Sequence, residues 1–446
     1  MARRRSDKKK LPATPVQATV ESLLHDGRGV AHVDGKAVFI DEALTGETVE
    51  FVYTDIRRDY AEGKVVGLLS RSEIRVDAEC PHFSVCGGCS FQHVDSSAQI
   101  RVKEGLLEEQ FRRIGKVAIP EIWPSLDALH WGYRRKARMG VKYVAKKGRV
   151  LVGFRERRQQ YLAEIESCKV MHPLVGTKLM DLSEMLGGLT VRDKIPQIEV
   201  AIGDNVCVLA LRVLEPPTVE DKARMRAFAR RHGISLCLQT KGPDTIAPIE
   251  GEPEVLPTYA LPEHEVVFKF RPAMFTQVNY EINRLMVNRV IEALALNRND
   301  TVLDLFCGLG NFTLPMARYA GRVVGVEGDL PLVDHAWENA RSNGLDNVEF
   351  HAADLSKDIT DLPWAKHRYN KILLDPSRAG ASEVLRHFKK WQPEQVLYVS
   401  CNPSTLARDA GVLVNDMGYR LVKAGVMNMF PQTAHVESIA LFVKSG

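Results

Sequence analysis

The stretch Tyr398-Val399-Ser400-Cys401-Asn402-Pro403 sets a thiol where an apolar run over 396–399 meets a turn. A cysteine at the carboxyl end of a strand in an open α/β sheet lies where such folds form their ligand crevice. Pro403 removes a donor and stops the strand, and Asn402 before it is driven out of helical geometry, so the backbone should hold the sulfur at the crevice edge. Cys401 is therefore a candidate nucleophile, with a buried packing role as the competing reading for a cysteine taken alone.

A second constellation is Cys80-Pro81-His82-Phe83-Ser84-Val85-Cys86-Gly87-Gly88-Cys89, with Cys168 far downstream. Three thiols close together, two separated by Gly-Gly, let the backbone wrap around one ion or cluster, and a fourth brought by folding would complete a four-cysteine site. The spacing leaves zinc and an iron–sulfur cluster both open. A third signal is Asp304-Leu305-Phe306-Cys307-Gly308-Leu309-Gly310-Asn311-Phe312-Thr313, a strand, glycine turn and helix start. Glu327 ends the next strand, at the spacing where such folds hold ribose hydroxyls, and Asp354 ends a third. A dinucleotide fingerprint would need a third glycine where Thr313 stands. Two glycines suffice for a ligand without a pyrophosphate, such as S-adenosylmethionine.

These residues need elements to position them. The chain has 446 residues, enough for two to four domains. From 16 to 70, short alternating strands recur with Asp26-Gly27, Asp34-Gly35 and Thr45-Gly46 between them. That rhythm suits a small five-stranded oligonucleotide-binding (OB) type barrel and resembles the TRAM domain of RNA-modifying enzymes. Between 131 and 158 cations crowd together, Arg134, Arg135, Lys136 and Arg138 among them, interleaved with Trp131, Tyr133, Tyr143 and Phe154. Cations for phosphates and rings for unpaired bases are what single-stranded RNA requires. Over 280–296, Ile282, Met286, Val290 and Leu294 recur at helical spacing. Apolar strands then alternate with helical patterns to the end of the chain, which predicts a largely parallel, doubly wound sheet.

The expected organisation is a basic tail over 1–12, a TRAM-like OB barrel over 13–72, a central α+β domain over 73–267 with the four-cysteine cluster, and a Rossmann-like α/β methyltransferase domain over 268–446. Part of 99–130 could pack on the catalytic domain.

Together, Asp304 to Thr313, Leu374-Asp375-Pro376-Ser377-Arg378, Ser400-Cys401-Asn402-Pro403 and Met429-Phe430-Pro431-Gln432-Thr433-Ala434-His435-Val436-Glu437 resemble the RNA uracil-C5 methyltransferases. The TRAM-like start and the cysteines make the chain similar to the iron–sulfur subgroup that acts on 23S ribosomal RNA. Ser377 departs from the family pattern, where many relatives carry a second proline. The resemblance implies Cys401 as nucleophile at uracil C6, Glu437 as the base that removes the C5 proton, and Asp375 facing the uracil. It places S-adenosylmethionine on Gln277, Phe306, Asn311, Glu327, Asp354 and Asp375, and a [4Fe-4S] cluster, with zinc as runner-up, on Cys80, Cys86, Cys89 and Cys168. RNA contacts would fall on Arg134, Arg135, Arg138 and Phe275.

A cytosine-C5 enzyme is disfavoured, because those use Pro-Cys or Thr-Cys and neither pair occurs. The remaining alternatives are a uracil-C5 enzyme acting on another RNA site and a non-catalytic RNA-binding or assembly factor. The hydrophobic share of 45% and charged share of 26% are those of an ordinary globular chain. The basic run before residue 11 has no apolar stretch after it, and no membrane span occurs, so a cytoplasmic protein is expected. It should work as a monomer with 23S ribosomal RNA as partner and no obligate protein partner.

Overall fold

A computed structural model describes residues 11–12, 14–24 and 26–445. The basic run over 1–10 lies outside the described residues. Contacts divide the chain into two units. The first gathers the described residues up to Phe83 with Gly88–Arg101 and Pro431–His435. The second holds Ser84–Gly87, Val102–Phe430 and the chain from Val436 onward. No helix among the described residues is long and apolar enough to cross a membrane.

In the first unit six strands form one sheet: β1 (Val16–Thr19), β2 (Ser22–Leu23), β3 (Gly29–Val33), β4 (Lys36–Asp41), β5 (Thr48–Ile56) and β6 (Tyr60–Leu68). Their order is β1-β5-β6-β4-β3-β2. The expected Asp34-Gly35 turn joins β3 to β4, both residues at positive φ (51° and 75°), which matches the twist of a tight hairpin. Val20, Ala31, Val38, Ile40, Val49 and Phe51 fill its core.

The second unit contains two large sheets. In one, β7 (Lys136–Val144), β8 (Arg149–Gly153), β9 (Gln197–Ile202), β10 (Cys207–Arg212), β11 (Ile234–Gln239) and β12 (Ile246–Pro248) run in the order β12-β11-β10-β9-β7-β8. Cys207 and Cys237 are buried in it, as apolar strand positions require. The small hairpin β13 (Thr258–Leu261) and β14 (Val266–Lys269) follows.

The other sheet has seven strands: β15 (Thr301–Leu305), β16 (Arg322–Glu327), β17 (Val348–Ala352), β18 (Lys371–Leu374), β19 (Gln395–Ser400), β20 (Tyr419–Met427) and β21 (Glu437–Lys444). Their order is β17-β16-β15-β18-β19-β21-β20. Strands β15 to β19 pair in parallel, while β21 inserts antiparallel between β19 and β20. The expectation of a largely parallel sheet thus holds for five strands. The last two form a hairpin because the nine residues between Met427 and Glu437 contain no crossover helix. The helix Tyr280–Leu294 buries Ile282, Met286, Val290 and Leu294 against this sheet, the stripe read from the sequence.

Candidate active site

The local sequence around Cys401 folds as its residue types demand. Strand β19 ends at Ser400, Asn402 is extended (φ −143°) and caps the helix Pro403–Gly411, and Pro403 takes the first helical turn. The Asn402 side chain accepts from the Ser404 amide at 3.1 Å and donates to the Arg378 carbonyl at 3.0 Å. Cys401 is left half-buried at the carboxyl end of the sheet.

Register supplies the rest of the arrangement. Antiparallel β19 and β21 pair Ser400 with Ser438. Continuing by one residue brings Cys401 level with Glu437, across a strand spacing of about 4.8 Å. On the other side of Cys401's strand, β18 ends at Leu374, level with Tyr398, so Asp375 sits at the same edge. The Asp375 amide donates to the Leu305 carbonyl at 3.2 Å, which ties it to the end of β15. Cys401, Asp375 and Glu437 therefore meet at one edge, although 62 positions separate the first from the last in sequence.

The electrostatics of this edge are acidic. Burial, then the Glu437 and Asp375 carboxylates, push the Cys401 thiol up to about 11, and Arg378 pulls it partly back. Burial, then Glu437, Asp304 and Glu327, raise Asp375 well above the usual carboxylate range. A carboxyl held that way keeps its proton near neutral pH and can donate a hydrogen bond. Asp304 is fully buried and is raised to about 7 by burial, against the Thr313 hydroxyl that donates to it at 2.5 Å. Its Oδ1 is buried without a hydrogen-bond partner.

Beside this edge lies the glycine turn. Phe306 takes a left-handed conformation (φ 66°), unusual for an aromatic residue, and Gly308 and Gly310 follow at 56° and 91°. Nothing lies within 4 Å of where a Gly308 Cβ would stand, so the turn is an open cradle. Glu327 accepts backbone N–H donors from Gly308 (3.0 Å), Gly328 (2.7 Å) and Asp329 (3.1 Å), fixing its carboxylate at the end of β16. Asp354 accepts from the Ser356 amide and hydroxyl at 3.1 and 2.6 Å, and these bonds hold its carboxyl below the usual range.

Asn311 is held in a hydrogen-bonded cluster beside the glycine turn. Its Oδ1 accepts from the Tyr259 hydroxyl (2.9 Å) and from Asn283 (3.0 Å), and its Nδ2 donates back to Asn283 (2.9 Å). The side chain clamps the glycine turn to the helix Tyr280–Leu294, with one N–H left over. Gln277 lines a cleft with Thr276, Tyr280 and Asn283.

The basic segment is partly neutralised from within. Arg135 pairs with Asp204 at 2.5 Å and stacks on Tyr280, Arg138 pairs with Glu199, and the half-buried Lys136 donates to the Pro272 carbonyl. Arg134 donates to the Lys136 carbonyl at 3.1 Å. Phe275 is 67% exposed, a ring open to a partner.

Cys80, Cys86, Cys89 and Cys168 are all half-buried. In the first unit the Cys80 amide donates to Gln92 at 3.1 Å. In the second, Cys86 and Cys168 pack against the same apolar core, and Gly87 donates to the Arg155 carbonyl at 2.9 Å. Among the described residues no group of three or more His, Cys, Asp or Glu side chains is arranged to hold a metal ion.

The strand order with its antiparallel β21, the glycine turn, the acid ending β16 and the one just beyond β17 define an S-adenosylmethionine-dependent methyltransferase domain. Residues 252–445 match the family described as tRNA (Uracil-5-)-methyltransferase, and residues 13–66 match the TRAM domain. The chain is 54% identical to the 23S rRNA (uracil(1939)-C(5))-methyltransferase RlmD of Methylococcus capsulatus, covering 98% of this chain and 99% of that one. It is 49% identical to the protein of the same name from Alkalilimnicola ehrlichii over 100% of both. The Pyrococcus abyssi tRNA (uracil-54, C5)-methyltransferase, solved with S-adenosyl-L-homocysteine, has the same fold (TM-score 0.72, 21% identity, 96% of this chain and 99% of that one). The chain belongs to the RNA uracil-C5 methyltransferase family. It is an S-adenosylmethionine-dependent RNA methyltransferase, as the sequence motifs implied.

Proposed function

We propose that the protein methylates carbon 5 of uracil 1939 in 23S ribosomal RNA, the reaction named for relatives that match it nearly end to end. The observation that carries the chemical reading is the β19–β21 register, which pairs Ser400 with Ser438 and so brings the next residues, Cys401 and Glu437, to adjoining strand ends. Uracil C5 is too weak a nucleophile to be alkylated unaided. Cys401 Sγ bonds to C6, the C5=C6 pair moves towards C5 and O4, and the thiol proton leaves to a carboxylate or solvent. Asp375, kept protonated by its acidic surroundings, donates to the oxygen where charge develops. Bound S-adenosylmethionine supplies an electrophilic methyl group on a sulfonium. After C5 carries the methyl, Glu437 takes the C5 proton, the double bond re-forms and the C6–Sγ bond breaks. The target base must leave its stack to reach these groups.

The open turn at Gly308, the backbone-fixed Glu327 and Phe306 would hold the adenosine part, with Asp354 near the adenine and Gln277 at the other end of the site. Asn311 acts there through the turn it clamps. Arg134, Arg135, Arg138 and Phe275 would meet RNA, with Phe275 the most exposed of the aromatic candidates. Donor type and spacing support a four-thiolate site on Cys80, Cys86, Cys89 and Cys168 for either zinc or an iron–sulfur cluster, and the resemblance to the iron–sulfur subgroup favours the cluster. Iron and sulfide in stoichiometric amounts after anaerobic purification are expected, and a colourless zinc protein would overturn the choice.

The test of the whole reading is 5-methyluridine mapping in 23S ribosomal RNA from cells with and without the protein, complemented by Cys401→Ala. Loss of the modification at one uridine, unrestored by the variant, is expected. Restoration by Cys401→Ala would refute the mechanism.

A further inference from the structure

The glycine turn is flexible by composition: Gly308 and Gly310 take left-handed angles (φ 56° and 91°), and neither has a side chain to hold it. Asn311, the next residue, does hold it, and the groups that meet its side chain come from far along the chain. The Tyr259 hydroxyl, on β13, donates to Asn311 Oδ1 at 2.9 Å, and Asn283, on the helix Tyr280–Leu294, donates to the same oxygen at 3.0 Å. Asn311 Nδ2 returns a bond to Asn283 Oδ1 at 2.9 Å. Two donors on the oxygen and one acceptor on the nitrogen allow a single orientation of the amide. Tyr259 and Asn283 are buried, whereas Asn311 is half-buried at the turn. The Tyr259 ring is itself fixed by stacking on Phe268, its register partner, with centroids 4.7 Å apart and planes 13° from parallel.

We propose that Tyr259 and Asn283 are positioning residues for S-adenosylmethionine: acting through Asn311, they hold the glycine turn in place before the cofactor is bound. This rests on the reading above that the turn cradles the adenosine part. A flexible turn must be ordered when a ligand docks, and the freedom lost is subtracted from affinity; a turn already held avoids that loss. The cluster also joins the two segments that would grip the ligand. Tyr259 and Asn283 line the same cleft as Gln277, the candidate for the other end of the site. Between Gln277 and Asn283 the chain is fixed by Asn279, whose side chain caps the helix by accepting from the Ile282 amide at 3.3 Å. Packing alone would not call for the hydroxyl, since Phe268 and Phe270 beside Tyr259 fill the same core without one. Burial, and then Tyr280, push the Tyr259 phenol well above its ordinary value, so it stays protonated and able to donate.

The experiment titrates the full-length protein with S-adenosyl-L-homocysteine in a calorimeter, so that affinity is read without turnover. Tyr259→Phe keeps the stacked ring and removes one hydrogen bond, and it should raise the Kd about three- to tenfold. Asn283→Ala removes both bonds that Asn283 makes to Asn311 and should raise it by about tenfold or more. In methyl transfer to a uracil-containing ribosomal RNA fragment, Tyr259→Phe should raise the KM for S-adenosylmethionine by the same factor as the Kd and leave kcat at saturating cofactor unchanged. A merely structural role would lower the melting temperature and leave the Kd of the folded protein untouched. Should one variant fail to fold, the other decides. A folded Tyr259→Phe or Asn283→Ala protein with the wild-type Kd would overturn the proposal. Gly308→Ala, which puts a Cβ into the open turn, separates the two readings. If it binds as tightly as the wild type, the cradle reading fails and the proposal with it; if it loses affinity while Tyr259→Phe and Asn283→Ala keep theirs, only the role of Tyr259 and Asn283 fails.

Discussion

Cys401 should be an unreactive thiol until RNA arrives. Its surroundings push it up to about 11, with burial the largest cause, Glu437 and Asp375 next, and Arg378 opposing them. At pH 8 such a group is about one part in a thousand thiolate, against roughly one part in four for an ordinary cysteine of pKa ~8.5. Alkylation by iodoacetamide without RNA should therefore run roughly 200-fold slower than for an unperturbed thiol at equal access. It should also climb about tenfold per pH unit between 7 and 9, with no plateau below about pH 10. Mass spectrometry of the peptide containing Cys401 reads the rate, and the buried Cys207, Cys237 and Cys307 serve as unreactive references in the same digest. Removing the opposing cation with Arg378→Met should slow the reaction further. A rate that levels off near pH 8, or an Arg378→Met protein that alkylates faster, would refute the electrostatic account. If the account holds, proton removal from the sulfur belongs to the RNA-bound state, where a carboxylate of the same edge can receive it.

Other expectations follow from the same geometry. Asp304 is raised to about 7 chiefly by burial, so the folded state holds a proton that the unfolded chain loses above about pH 4. Its contribution to stability is lost as pH rises from about 4 through 7, and Asp304→Asn should remove that loss, leaving the variant about 1–4 kcal/mol more stable in urea melts at pH 8. No difference between pH 5 and pH 8 would contradict this. Phe275→Ala removes an exposed ring and should weaken RNA binding by about 1–3 kcal/mol in titrations at fixed salt, with the melting temperature unchanged. Leu397→Ala opens a cavity in the middle of β19, where the side chain is fully buried, and should cost about 2–5 kcal/mol in denaturant.

The residues that start or stop elements were the legible ones. Asn402 and Pro403 carry their geometry in their own chemistry, and the sequence around Cys401 folds as they dictate. The stripe of Ile282, Met286, Val290 and Leu294 and the Asp34-Gly35 hairpin are equally local. What escaped depends on partners distant in the chain. The insertion of β21 between β19 and β20 is a property of strand order, which periodicity does not encode. The hydrogen bonds of Asn311 to Tyr259 and Asn283 join residues 28 and more positions apart, which no local pattern encodes. Arg135 and Arg138 looked available to RNA, but Asp204 and Glu199 lie across neighbouring structure and partly neutralise them. The direction of the Cys401 shift depends on carboxylates from two other strands, so no reading of its neighbours could give it.

Nucleophile and base arrive on strands that travel in opposite senses, paired from Gln395 with Val443 to Ser400 with Ser438. Inserting or deleting one residue within 438–443 would shift the carboxylate by about 3.4 Å and turn it to the opposite face of the sheet. The nine-residue connection ahead of Glu437 is held just as firmly: Asn428, Met429, Gln432 and Ala434 are buried, and the Gln432 amide donates to Gln99 Oε1 at 2.9 Å. A working enzyme should therefore accept no change of length on either side of Glu437, making that position the fixed phase mark of the hairpin.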